Sequence, residues 1–162
     1  MNERVPDWAP WVAGLAVVLQ SHFAHRLGWA GEFCDLSMAV AMACALAAGV
    51  ETGLVTGLVS GVLMGYTAGM ALPAFIASRV LVAAGVGRMR FVVHGGNPLA
   101  QMGIAAVGGL GAELIFVVGY PAVLGHPDWL DRVLFRAGLT AIVTPVVAWL
   151  VSYLPLPEER LA

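Results

Sequence analysis

Two ionisable side chains fall where apolar sequence should be continuous. Glu113 stands in "GGLGAELIFVV" and Arg79 in "AFIASRVLV", and a charge inside a membrane span is costly enough to be read as functional by default. The two can pair with each other inside a helix bundle; a ligand or proton site and a polar contact to a partner helix are the alternatives. Such a pair would say little about net stability, because desolvation of both charges offsets their attraction. His22 and His25 stand three apart, on one helix face, as metal ligands can. No third ligand is near them in sequence, so they read as interfacial polar residues and no metal site is expected. His94 and His126 fall in loops and read as solvated. Cys34 and Cys44 lie in apolar sequence without CxxC spacing and read as buried thiols.

Enzymatic signatures are missing from the sequence. There is no HExxH, GxSxG or Walker loop and no pair of intramembrane aspartates, and the "GGLG" of Gly108 to Gly111 follows no strand. A catalyst would have to work with Glu113, Arg79 and little else. No catalytic residue and no cofactor is assigned, and an enzyme is not expected.

The elements that must position these residues are membrane spans. Of 162 residues, 60% are hydrophobic and 11% charged, against about a quarter charged in an ordinary soluble domain, which places the chain among polytopic membrane proteins. Its eight basic residues are all arginine, nearly balanced by ten acids and never clustered in a run, so no nucleic-acid partner is indicated. An all-α bundle of six spans follows from the apolar runs, at about 11–24, 33–48, 52–66, 72–87, 98–118 and 130–153. The first is short and anchored by Trp8 and Trp11. Its leader "MNERVPDWAPW" lacks the basic region and cleavage site of a signal peptide, so the run is expected to be retained. Asp35 can cap the second span or sit in its first turn. Pro73 is tolerable in the first turn of the fourth, and "GVG" closes it.

The most polar connection, "GRMRFVVHGGNPLAQ", divides four spans from two. An even count puts both termini on one side. With the N-terminus inside, Arg4, Arg88, Arg90 and Arg160 face the cytoplasm against Arg26, Arg132 and Arg136 outside, a four-to-three bias toward that orientation.

The third span carries glycine every fourth residue, at Gly49, Gly53, Gly57, Gly61, Gly65 and Gly69. In a soluble helix each would cost about 1 kcal/mol relative to alanine. In lipid, small residues four apart let two backbones approach, which supplies the missing drive for association. Thr52, Thr56 and Ser60 add a second small row. Because four residues turn about 400°, the row winds by roughly 40° per glycine. The third span is therefore expected to be central, with different neighbours at its two ends and with Gly49 at a frayed end.

In order along the chain, these residues resemble the rod-shape-determining protein MreD family of bacterial inner-membrane proteins. The shared landmarks are "LQS" at Leu19, Gln20 and Ser21, "DL" at Asp35 and Leu36, the glycine-spaced "GLVSGVLMGYTAGMAL", and the glutamate in "GAELIF". The chain departs from the family at Gly65, where an aspartate is frequent, and at Leu72 and Pro73, where leucine-glycine is usual. The resemblance implies a non-enzymatic scaffold of the cell-elongation machinery, working in peptidoglycan synthesis and cell shape. Its partners would be MreC, the RodA glycosyltransferase with its penicillin-binding transpeptidase, and MreB. On that footing Arg88, Arg90, His94 and Asn97 would form a cytoplasmic partner contact. The alternative is the substrate-binding membrane subunit of an energy-coupling-factor vitamin transporter, also six compact spans. Such a subunit should gather polar and aromatic side chains around a pocket near one membrane face, whereas in sequence Arg79, Glu113, Gln101, Trp29 and Trp129 are scattered.

Overall fold

The computed structural model describes residues 5–27, 34–91 and 97–155. These form six α-helices and no strand: α1 (Ala9–Leu27), α2 (Leu36–Ala48), α3 (Val50–Ala68), α4 (Leu72–Arg88), α5 (Pro98–Gly119) and α6 (Trp129–Val151). Short 3-10 turns follow α4 and α5. Three segments are long and apolar enough to cross a membrane: Leu72–Phe91, Pro98–Gly119 and Trp129–Val151.

Helix ends follow the local chemistry of the sequence. Asp35 caps α2 by accepting from the Met38 N–H at 2.9 Å, and Asn97 caps α5 by accepting from the Leu99 N–H at 3.0 Å. Pro73 and Pro98 occupy first turns, where the missing N–H costs nothing. Gly69, at φ 66°, closes α3 in the left-handed conformation. Gly49, at φ 93°, ends α2 and begins α3 in a single residue.

Large side chains lie outside and small ones inside. Trp11, Leu15, Leu58, Leu81, Val107, Leu114, Phe135, Ile142 and Trp149 are exposed, while the buried set is dominated by alanine with Ser37, Thr52, Thr56, Ser60, Ser78, Thr140 and Thr144. Water would not tolerate that much continuous apolar surface on a monomer, but lipid does. Thr52, Thr56, Ser60, Ser78 and Thr144 satisfy their hydroxyls within their own helices: Thr56 donates to the Thr52 carbonyl at 2.8 Å, and Thr144 to that of Thr140 at 2.7 Å. Without water, that local bond is what lets a hydroxyl be buried.

The central helix is α2, not α3. Every residue from Ser37 to Leu46 is buried, as expected of a helix apolar all round. The glycine row of α3 also differs from the expected arrangement, because one neighbour meets most of it. A β-carbon would fall 2.7 Å from the Ala83 carbonyl oxygen at Gly53, 2.8 Å from that of Arg79 at Gly57, 2.8 Å from the Ile76 α-carbon at Gly61, and 2.9 Å from that of Leu72 at Gly65. All four contacts are on α4, which runs antiparallel. Rows of residues four apart form ridges inclined to the helix axis, and a partner tilted along such a ridge follows it. Gly49 and Gly69 belong to the junctions rather than to the packed row.

Candidate functional site

The chemistry gathers at the N-terminal end of α2. This helix is short, and its first turn opens inside the bundle, where every backbone N–H needs a partner. Gln20 of α1 accepts from the Ser37 N–H at 2.8 Å. Asp35 accepts from Met38 and from the Ser37 hydroxyl, the latter at 2.8 Å, and its negative charge suits the positive helix end.

Asp35 also holds the arginine. An Arg79 guanidinium nitrogen stands 2.7 Å from the Asp35 carboxylate, with Arg79 buried and Asp35 partly so, and the guanidinium carbon lies 4.9 Å from the Phe75 ring centre. The expected Arg79–Glu113 pair is therefore corrected. Glu113 instead accepts from Arg136 of α6 at 3.0 Å. The rotations of four helices put the acid of α2 nearer to Arg79 than the acid of α5, which the sequence alone does not encode. Asp35 was legible only as a cap, and Arg136 only as a residue near the start of the last span. The one signal for Arg136 was its place four residues after Arg132, on the same helix face.

These two pairs nonetheless share a site. Asp35, Phe75, Ser78, Arg79, Ala112, Glu113, Phe116 and Arg136 line one cleft of about 40 Å³. Phe75, Glu113, Phe116 and Arg136 also line an adjoining cavity of about 250 Å³, which adds Tyr120, His126, Trp129 and Arg132. Glu113 lies six residues before the end of α5, and Arg79 and Arg136 each seven after the start of their helices. At 1.5 Å per residue the charges sit ~10 Å inside that end of the bundle. The turn from α3 to α4 borders the cavity through Ala68 and Met70. Beside them Ala71 holds φ 52°, a left-handed conformation that alanine adopts at a cost of about 1–2 kcal/mol.

The other candidates lie elsewhere. Arg88 and Asn97 are exposed and Arg90 half-buried on the opposite end of the bundle, with Asn97 engaged as a helix cap; His94 lies outside the described residues. His22 is exposed, and among the described residues no group of three potential metal ligands forms. Gly108 and Gly109 pack within α5, against Met42 and Ala137 respectively, a helix contact rather than a loop. Cys44 is fully buried. No family model matches the chain, and no curated protein or solved structure matches it either.

Proposed function

We propose that this protein is a six-span, non-enzymatic membrane scaffold that works by holding other membrane proteins through its helix faces. The observation that carries the reading is the inverted bundle: small and hydroxylic residues inside, and large apolar residues over the outer surface. Connections between the described helices are short, so the lipid-facing helices are the principal surface on offer. In this reading α1, α2 and α3 also span. The second is apolar almost throughout but has 13 residues, the third carries the glycine, serine and threonine of close packing, and the first ends in the polar Gln20, His22, His25 and Arg26.

The resemblance to the MreD family supplies the partners: MreC, RodA with its penicillin-binding transpeptidase, and MreB, at the inner membrane of a bacterial cell. Three of the landmarks that carry the resemblance converge in space. Gln20 and Asp35 meet at Ser37, and Glu113 lines the same cleft as Asp35. Depletion in a rod-shaped host is expected to round the cells, and the purified protein is expected to retain MreC from detergent-solubilised membranes. Unchanged cell shape together with no MreC retention would defeat the scaffold.

The cavity favours a second reading, since polar and aromatic groups scattered in sequence are gathered near one end of the bundle. A substrate-binding subunit of a vitamin transporter would be stabilised by a water-soluble vitamin through mass action, and would leave MreC unbound. Melting in the presence of a vitamin panel separates the two.

A further inference from the structure

We infer that the cavity between the ends of α4, α5 and α6 is a binding site for an anionic, phosphate-bearing head group carried on an apolar body. Three independent features of the site point the same way. The first is charge. Among the described residues that line the joined cleft and cavity, the guanidinium groups of Arg79, Arg132 and Arg136 outnumber the carboxylates of Asp35 and Glu113.

The second is hydrogen bonding. Among the described residues two buried side-chain polar atoms lack a partner, Arg79 Nε and Trp129 Nε1, and both residues line this site, Arg79 the cleft and Trp129 the cavity. Arg79 is 4% exposed. Both orphans are N–H donors with no capacity to accept, so whatever satisfies them must bring acceptors. Buried donors are rarely left unpaired, and a specific exception calls for a ligand or an ordered water. A single water could serve one of them but not both, since one lines the cleft and the other the cavity.

The third is the wall. Phe75, Phe116, Tyr120, Val123 and Val133 complete the cavity with apolar and aromatic surface, which suits the glycerol or acyl root of an amphiphile. Arg132 is exposed at the end of the bundle, where a phosphate at the membrane interface would meet it first. Phosphate geometry matches the planar fork of guanidinium groups.

This site is separate from the scaffold reading, because it is tested by ligand stabilisation and not by retention of MreC. The full-length chain is purified in detergent, and its melting is followed with added phosphatidylglycerol, phosphatidylcholine or inorganic phosphate. Wild type, Arg132→Gln and Trp129→Phe are compared. Arg132→Gln removes an exposed charge and Trp129→Phe removes one N–H while keeping an aromatic ring, so both variants should fold.

Phosphatidylglycerol is expected to raise the melting temperature more than phosphatidylcholine, with at least a tenfold weaker apparent affinity in Arg132→Gln and a severalfold weaker one in Trp129→Phe. Stabilisation by inorganic phosphate with the same dependence on both residues would also uphold the site and assign its ligand to a soluble anion. Equal stabilisation by both lipids, no stabilisation by any probe, or binding indifferent to the two substitutions would overturn it.

Discussion

Arg79 touches Asp35, Ser37 and the Phe75 ring, which makes it the residue where the bundle is least tolerant of change. Arg79→Met leaves the Asp35 carboxylate buried without its cation and should cost about 3–5 kcal/mol. The double change Asp35→Asn with Arg79→Met removes both charges and should recover much of that loss. A double-mutant cycle in detergent unfolding is expected to give strong coupling between 35 and 79, weaker coupling between 79 and 113, and coupling again between 113 and 136. Equal coupling of Arg79 to both acids would refute the pairing. The identity of the charged residues was legible in the sequence, because an ionisable group in an apolar run stands out. Their partners were not. Position 35 is 44 residues from 79, and 113 is 23 from 136, and no local periodicity reports which faces of four helices turn toward one another.

The glycines show how far an element can be read from its repeat. The interval of four correctly announces a close backbone approach, but it does not distinguish a packed glycine from a junction glycine. At Gly57 an added methyl would stand 2.8 Å from a backbone oxygen of α4, and neither helix can yield without the other shifting. Gly57→Ala should therefore destabilise by about 1–3 kcal/mol, and should disturb the Arg79 pair as well, because that oxygen belongs to Arg79. Gly103 has open space beside it, so Gly103→Ala should gain the helix propensity of alanine, up to about 1 kcal/mol. Gly49, expected to be tolerant at a frayed end, is buried at φ 93°, so Gly49→Ala should also destabilise, through backbone strain. Melting of the three variants checks this order; a Gly57→Ala protein as stable as Gly103→Ala would contradict the packing of α3 on α4.

For the whole molecule, six helices fall close to the six apolar runs of the sequence, and three of them are long and apolar enough to cross a membrane. Which run is central was hidden. The short second run is enclosed because it is apolar on every side, whereas the glycine row meets α4 along most of its length and α2 only at Gly53, beside Ala45. The arrangement also fixes sidedness in a relative sense. Trp8 donates through Nε1 to the Pro155 carbonyl at 2.8 Å, so the start of α1 and the end of α6 meet at one face, and the charged cavity opens at the other. Arg88 and Arg90 lie toward the same end as the start of α1, and Arg132 toward the cavity. In a background of Cys34→Ser and Cys44→Ala, single cysteines at Asp7 and Ser152 should react with a membrane-impermeant maleimide from the same side, and a cysteine at His126 from the opposite side. Labelling of positions 7 and 126 from one side would break the six-span architecture, because α1 to α5 must then cross an even number of times.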